Sequence, residues 1–467
     1  MPETPDEWLD ILARRLDARQ PRILNLRSYA NGKTPLPEGR RNLRESWKAF
    51  QKKARTNFGG LSVATVQSRI IPLGVAVGSD DTAPAAVAAR RIWRDNRMRR
   101  QIKAATRDRL TCSIGYLVAG LDEDGRAVIT REKPEDFIAD VDPAIPWKAR
   151  AALKVWRDET TGVDHAIVWI PGMRQRYVRD SRKRGYQTTV AVGDWLAAGE
   201  PELYEGNPPV VVLERMDGEG LFETHIDLID RINQGKLDRL VISAYQAFRQ
   251  RAIKPTKDGD GLPQEDADGN DIDWAKILEP APGAMWDLPV PIDIWESAPT
   301  DIRPLLEAEK ADARDFAAVM RLPISVFTPE GANQSATGAD VTKEGLVSTA
   351  EEEIADITSG VEVAIVYALR AEGFDIGEDT VEVQWEPAAW VSVTEKFAAA
   401  NQAQGILSSR TIKRDILGMS REQIKQDEAD MGSDMLAAAL MGVTSGSNNG
   451  TTQSADPGRA GGTPTDS

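Results

Sequence analysis

The segment that decides the fold is PTDIRPLLEAEKADARDFAAVMRLPISVFTPEGANQSATGADV, residues 299–341. Its first part has apolar residues at helical spacing from about Ile302 to Arg321. Pro304 is compatible with that helix because it falls in the first turn, where no amide donor is needed. The next part is rich in Pro, Gly, Asn and Ser, which favour turns, and helical spacing resumes near Ala339. The segment therefore predicts two helices joined by a polar loop.

The helix after this loop is predicted to be long, reaching about Glu372. Its apolar residues follow an a/d rhythm, which indicates one buried stripe along its length. Ser359-Gly360 in the middle favours a kink. The stripe consists of Ala350, Ile354, Ile357, Val361, Ile365 and Ala368.

Another helix is predicted before the deciding segment, from Glu223 to Ala252, with Pro255 ending it. Between the two helices, residues 254–298 are rich in Gly, Pro and Asp, and only PVPIDIWE has a strand-like period. The order is thus helix, small insert, helix, polar loop and long helix.

The first half of the chain mixes helices and strands. Thr4 and Glu7 form a capping box that predicts a helix start, with apolar residues recurring to Leu16. We predict helices at 43–58 and from Thr82 to about Thr111, a strand in SVATVQSRIIPLGVAV (62–77), a hairpin turning at Asp124-Gly125, and short strands to about residue 215. After the strand TVEVQW, helices resume from Val393 to Met441, and the polar residues 443–467 are expected to be disordered.

Composition limits the classes of protein that this chain can belong to. The 467 residues exceed one compact core, and no apolar run reaches the length of a membrane span. The single cysteine, Cys112, excludes an intramolecular disulfide and a thiolate metal cage, which fits synthesis in a cytoplasm. Net charge is −15, from 73 acidic and 58 basic side chains. That balance argues against tight binding of nucleic acid, although a polyanion could slide past such a surface.

The search for catalytic or metal-binding groups yields no complete site. Gly32-Lys33-Thr34 matches the end of a P-loop, but Arg27 stands where the first glycine is required, so a turn is expected. His165 and His225 lack partners for a metal pair or a nucleophile. The loop from Asp266 resembles an EF-hand only at its first positions, since Asp271 replaces the required glycine; a solvated turn is expected.

Residues 90–109 run against the acidic character of the whole chain, with nine basic side chains and two acidic ones. A phosphate-binding helix and a contact with an acidic neighbouring subunit are both possible interpretations. The absence of interleaved aromatic residues beyond Trp93 disfavours base stacking, and we favour the subunit contact. The candidate interface residues are Arg91, Arg94, Arg97, Arg100 and Lys103.

Taken in order, these segments resemble the portal proteins of tailed double-stranded DNA bacteriophages, of the type found in long-tailed siphophages. LRSYANGKTPLP is similar to the N-terminal helix and turn of that family. IWRDNRMRRQIKAATRDRLTCSIGYLVAG resembles its W-x-x-N helix, which leads to a strand with a small residue, Gly and Tyr. The two helices around the insert resemble the stem, and ISVFTPEGANQSATGADV resembles the tunnel loop.

The resemblance implies an α+β portal-protein fold with a mixed α/β wing, a two-helix stem, a small α/β clip, a long kinked wing helix and a short helical crown, assembled as a ring. The implied regions are the N-terminal wing 1–222, first stem helix 223–253, clip 254–298, second stem helix 299–321, tunnel loop 322–338, long helix and strand 339–392, crown 393–442 and tail 443–467.

The resemblance also implies a function. Such rings, usually of twelve subunits, sit at one capsid vertex of the virion; terminase pumps DNA through them, and DNA later leaves by the same channel. The implied partners are other copies of the chain, the terminase large subunit, major capsid and scaffolding proteins, a head-completion adaptor and double-stranded DNA, with no membrane, cofactor or catalysis. An acidic lining would let DNA pass without sticking.

Two sets of site residues follow from the resemblance. The tunnel loop would present Glu330, Asn333, Gln334, Ser335 and Thr337 to DNA, and the terminase-facing part of the clip would include Asp258, Asp260, Asp266, Asp268 and Trp274. The alternatives are an enzyme acting on phosphates or nucleotides through the Gly32-Lys33-Thr34 turn and the basic helix, and a structural adaptor without a channel.

Overall fold

The structure, a computed structural model, describes residues 2–37, 45–180, 189–191, 193–247, 251–254, 264–265, 269–274, 293–296, 300–328, 336–377, 379–389, 391–419 and 421–445. The chain divides into two compact units, Met1–Ala389 and Trp390–Ser467. Among the described helices, none combines the length and apolar character that crossing a membrane requires.

The described residues of the first unit form helices and four sheets. Its helices are α1 (Pro5–Ala30), α2 (Glu45–Ala54), α3 (Phe58–Gln67), α4 (Pro84–Asp95), α5 (Met98–Cys112), α6 (Ile226–Ala247), α7 (Arg303–Val319) and α8 (Ala336–Ala371). Its strands are β1 (Pro72–Val77), β2 (Ile114–Leu121), β3 (Ala127–Glu132), β4 (Phe137–Asp142), β5 (Ile145–Asp158), β6 (Val163–Ile170), β7 (Met173–Asp180), β8 (Leu196–Ala197), β9 (Glu202–Leu203), β10 (Val210–Glu214), β11 (Arg251–Lys254), β12 (Asp293–Glu296) and β13 (Val381–Trp385).

All the described strand pairs are antiparallel. The largest sheet has the order β4-β5-β6-β7-β8, with β9 also on β7; a second has the order β10-β2-β3; and two-stranded sheets join β1 to β13 and β11 to β12. The predicted hairpin is confirmed, since β2 and β3 are joined through Gly125, whose φ is +73°.

Helix α1 covers one face of the largest sheet. Its capping box is confirmed, because Thr4 accepts from the Glu7 amide while the Glu7 carboxylate accepts from the Thr4 amide. Leu12 and Leu16 are fully buried against Leu153 of the sheet. The apolar stripe that the sequence shows in α1 therefore packs on β-strands.

The main core of the first unit surrounds α8, which packs on the three-stranded sheet and on α3 and α4. Five of the six residues in its predicted stripe are fully buried and Ile354 is partly buried, which confirms the stripe. The helix continues without interruption through Ser359-Gly360. A Cβ atom on Gly360 would lie 2.4 Å from a methyl carbon of Leu213, so this glycine allows close packing of α8 on β10. The kink stays a prediction.

The second unit is helical. It contains α9 (Val393–Ala403), a short helical turn at Ser409–Thr411 that continues as a π-helical turn at Ile412–Ile416, and α10 (Arg421–Ser445). Ser392 and Glu395 form a second capping box at the start of α9. The predicted helices after Val393 are thus confirmed. Because α10 extends to Ser445, the predicted disordered tail begins too early; residues 446–467 lie outside the described residues.

Two sequence predictions in the N-terminal half are wrong. The strand predicted at 62–77 is a strand only from Pro72, because its first part belongs to α3. Val63 and Val66 are three residues apart, which places them on one face of a helix but on opposite faces of a strand. The helix predicted to Phe58 ends at Ala54 instead, and the Thr56 amide donates to the side chain of Asn233 rather than to a helical carbonyl.

The predictions for two longer helices were also wrong: one helix is divided in two, and the other ends earlier. The helix from Thr82 to Thr111 is two helices, α4 and α5, because Arg97 adopts a left-handed conformation with φ 51°. The helix to Ala252 ends at Ala247, and Ala252 instead pairs with Trp295 between β11 and β12. The strand expected in PVPIDIWE is confirmed as β12.

Candidate channel and subunit-contact residues

The Gly32-Lys33-Thr34 turn is the C-terminal cap of α1. The Gly32 amide donates to the Tyr29 carbonyl, and the Lys33 amide donates to the Ser28 carbonyl. Gly32 has φ +66°, and together these features form a Schellman motif. Thr34 is fully buried, and its hydroxyl accepts from Asn233 of α6 at 3.3 Å. The triplet is therefore a turn, as predicted, and its threonine hydroxyl is already bound within the protein.

Tyr29, in the last turn of α1, makes a second contact with α6. The Tyr29 hydroxyl donates to the Asp230 carboxylate at 2.7 and 2.8 Å. Burial, together with this hydrogen bond, raises the pKa of Tyr29. The tyrosine and turn of LRSYANGKTPLP thus fix the end of α1 to the start of the first predicted stem helix.

Asn96 explains the W-x-x-N pattern. Its side-chain amide donates to the Ile92 carbonyl at 3.0 Å and the Ala127 carbonyl at 2.9 Å, and its side-chain oxygen accepts from the Ile129 amide at 2.8 Å. One side chain therefore ends α4 and holds that end against β3.

Gly115 and Tyr116 explain the second part of that pattern. A Cβ atom on Gly115 would lie 2.4 Å from the Ala105 carbonyl oxygen, so only glycine lets α5 lie this close to β2. Tyr116 is fully buried and its hydroxyl accepts from Arg19 of α1 at 2.8 Å.

The predicted stem consists of α6 and α7, which pack against each other in opposite directions. Arg239 bonds to Glu309 at 2.7 Å, and Arg231 bonds to Asp312 at 2.8 Å. Beyond these contacts the chain continues as the antiparallel pair β11 and β12, in which Arg251 lies opposite Glu296. The helix pair thus continues into a two-stranded ribbon.

The two predicted stem helices are nearly neutral. Helix α6 carries three acidic and three basic side chains, and α7 carries four and three, which leaves one net negative charge over both. The acidic excess of the chain therefore lies outside these two helices.

The predicted tunnel loop is anchored on its N-terminal side. Phe327 packs on Phe58 of α3 and Phe316 of α7, with ring centroids 5.0 and 5.2 Å apart. Arg321 has φ 53°, and its carbonyl oxygen would lie 2.8 Å from a Cβ on Gly345 of α8. The backbones before and after the loop are therefore in close contact.

Most of the predicted tunnel-loop residues, namely Glu330, Asn333, Gln334 and Ser335, lie outside the described residues. Thr337 was predicted to lie in the loop, and that prediction is wrong, because α8 begins at Ala336 and includes it. Propagating a helix adds one hydrogen bond per residue, so the long helix starts three residues earlier than its apolar pattern indicates.

The predicted clip is described only in part. Asp258, Asp260, Asp266 and Asp268 lie outside the described residues, while Trp274 is half-buried and its amide donates to the Ile272 carbonyl. Glu265 and Asp271 form an isolated antiparallel bridge. In the described part of the chain, no cluster of His, Cys, Asp and Glu could hold a metal ion.

The five basic residues predicted at a subunit interface fall into two groups. Arg91 pairs with Glu372, which directly follows α8, and Arg94 bonds to the adjacent Asp95 at 3.0 Å. Arg97, Arg100 and Lys103 are exposed, and within the described ranges their side chains have no partner. Arg107, seven residues after Arg100, shares these properties. We call the latter four residues the cationic stripe.

Sequence patterns did not reveal the ion pair that is most buried among the described residues. Arg109 of α5 is 1% exposed and forms ion pairs with Glu353 and Asp356 of α8. Glu353 also forms an ion pair with Arg215, which follows β10. Burial lowers the pKa of Arg109. Membership of a basic run does not indicate that an arginine is buried. The helical position does, because Arg109 is two residues from Arg107 and therefore lies on nearly the opposite face of α5.

The family model described as "Phage portal protein, SPP1 Gp6-like" matches residues 9–432. That match covers most of the chain. The chain belongs to the phage portal protein family.

Two solved structures are similar to this member of the portal family. "Neck of empty GTA particle computed with C6 symmetry" is 13% identical, with a TM-score of 0.45 over 77% of this chain and 90% of that chain. "Neck of native GTA particle computed with C12 symmetry" is 13% identical, with a TM-score of 0.42 over 76% and 88%. No curated protein matches the chain.

Membership of the portal family confirms the resemblance, and the mixture of helices and sheets confirms the α+β class. The portal family supplies components of the virion capsid. In this portal protein both histidines have structural surroundings: His165 stacks on Trp156 at 5.1 Å, and His225 lies in the turn before α6. Burial raises the pKa of Cys112 to about 12, which makes its thiol a poor nucleophile.

Proposed function

We propose that this portal protein forms a ring at one capsid vertex, through which terminase packages DNA and through which DNA later leaves. The observation that carries the proposal is the family match over residues 9–432. The antiparallel pair α6 and α7, continued by β11 and β12, supports it as a stem that ends in a clip.

DNA passes such a ring without sequence-specific binding. The proposal is supported by the net charge of −15 and by the near neutrality of both stem helices, because neither offers a basic surface that would hold phosphates. The anchored tunnel loop would present its polar residues, including Glu330 and Asn333, to the DNA.

The remaining partners follow from the same role. The clip, with Trp274 and the acidic residues around Asp266, would face the terminase large subunit and then the head-completion adaptor. The wing would contact major capsid and scaffolding proteins, which keeps the ring at the virion vertex.

The cationic stripe would contact a neighbouring subunit. Its arginines are exposed, lack partners in the described chain, and belong to a protein whose other copies are strongly acidic. If so, Arg97→Glu with Arg100→Glu should reduce ring assembly and its sensitivity to salt. Unchanged assembly with unchanged salt sensitivity would contradict this role.

Electron microscopy of the full-length chain, with mass measured on the same sample, tests the proposal. A ring with a central hole and a mass many times 51.2 kDa is expected. Compact monomers or dimers that bind a nucleotide would favour the enzyme, although the buried Thr34 gives that alternative no support. A closed oligomer without a hole would favour the adaptor.

A further inference from the structure

Two rows of opposite charge lie on the outer faces of α5 and α8. On α5, Arg100 and Arg107 are seven residues apart, with Lys103 between them, so their side chains share one helix face. Seven residues correspond to about 10 Å along a helix. The row is exposed and has no partner among the described residues.

Glu344 and Glu351 form the opposite row on α8. They are also seven residues apart, are exposed, and have no hydrogen-bond or ionic partner in the described part of the chain. The charge spacing of the two rows is therefore the same.

The other exposed carboxylates on the described helices of the first unit either have a partner in the chain or have no second carboxylate seven residues away. Asp10 pairs with Arg14, and Glu307 with Lys310. Glu352 lies 3.8 Å from Arg321. Asp227 is exposed and has no second carboxylate one helical repeat away. Glu344 and Glu351 are thus the helical pair that matches the spacing of the α5 row.

The two rows do not meet within one subunit. Helices α5 and α8 already face each other through Arg109 and Glu353, which are both buried. Arg107 and Glu351, two residues before each of these, are exposed. A ring with head-to-tail contacts requires two different patches on each subunit, and these rows meet that requirement.

We infer that Glu344 and Glu351 of one copy form ion pairs with Arg100 and Arg107 of the next copy in the ring. The inference rests on the proposed ring, and it names the second surface of the contact. Because exposed ion pairs are screened by salt, the contact makes ring assembly salt-dependent.

Reciprocal charge reversal tests the contact. Arg100→Glu with Arg107→Glu, and separately Glu344→Arg with Glu351→Arg, should each raise the concentration needed for half-assembly at low salt by about tenfold. Combining all four changes should restore assembly. The matched control combines the first pair with Glu123→Arg and Asp124→Arg at the exposed β2–β3 turn, which adds the same charge without restoring assembly.

The assembly measurement is mass photometry across a salt series, with circular dichroism to show that each variant is folded. Arg100→Gln with Arg107→Gln is a milder variant that should give a smaller loss. If the glutamate reversals leave assembly unchanged, or if the control restores it equally well, the inference is wrong. A wild-type chain that forms no ring would instead contradict the proposed function.

Discussion

Arg109 of α5 and Glu353 of α8 form an ion pair in which both side chains are almost completely buried, 1% and 6% exposed. The pair joins the basic segment to the middle of α8. Asp356 lies 2.7 Å from the same guanidinium, and Arg215 contacts the same glutamate. This network fixes α8 to α5 and to Arg215 some 17 residues after the helix begins at Ala336.

Removing one partner of this pair should be costly. We expect Glu353→Gln to lower the free energy of unfolding by about 3–5 kcal/mol, because Arg109 would remain buried with less compensation. Denaturant unfolding of the purified chain measures this. Glu352→Gln is the matched control: its carboxylate is exposed and 3.8 Å from Arg321, so its loss should cost less than about 1 kcal/mol. Equal effects at both positions would contradict the assigned burial.

Asn233 should be important for attaching the turn at Thr34 to α6. Its side chain accepts from the amide and hydroxyl of Thr56 and donates to Thr34, all in a buried position. Asn233→Ala would leave these groups unpaired and should cost about 2 kcal/mol of folding stability. The neighbouring Gln234→Ala, at a partly exposed position, should stay within about 0.5 kcal/mol of wild type in the same unfolding measurement.

Two glycines of β2 should respond differently to alanine. The Cβ of Gly115→Ala would lie 2.4 Å from the Ala105 carbonyl oxygen, so the helix and strand must separate at a cost of about 1–3 kcal/mol. Gly120 has no atom within 4 Å of the new position, and Gly120→Ala should be neutral or stabilising by up to about 1 kcal/mol. Thermal unfolding of both variants checks the difference. A neutral Gly115→Ala would show that α5 does not lie this close to β2.

Glu135 should contribute to acid sensitivity. Burial raises its pKa, but the hydrogen bond and charge of Arg27, 2.6 Å away, outweigh burial and lower the pKa below the usual 4.5. The stabilising effect of the Glu135 carboxylate is therefore fully present above the pKa that it has in the unfolded chain. It is lost as pH falls through the lower pKa of the folded chain. Glu135→Gln should flatten the decline of stability below about pH 4.5, measured by unfolding across pH. An unchanged slope in Glu135→Gln would contradict this role of the Glu135 carboxylate.

Local patterns in the sequence determined several parts of this protein. The capping box at Thr4, the hairpin at Gly125, the buried stripe of α8 and the strands β12 and β13 all follow from the chemistry of neighbouring residues. The order of helix, insert, helix, loop and long helix was sufficient to identify the portal family. These features are readable because caps, turns and periodicity act within a few residues.

Tertiary structure decided the rest. The start of α3, the break at Arg97 and the end of α6 depend on contacts with distant segments, such as Thr56 with Asn233 and Ala252 with Trp295. The basic segment shows this most clearly: its nine basic side chains carry the same charge, but folding paired Arg91, buried Arg109 and left Arg100 exposed. A side chain's charge is fixed by its chemistry, whereas its burial depends on which distant segment covers it.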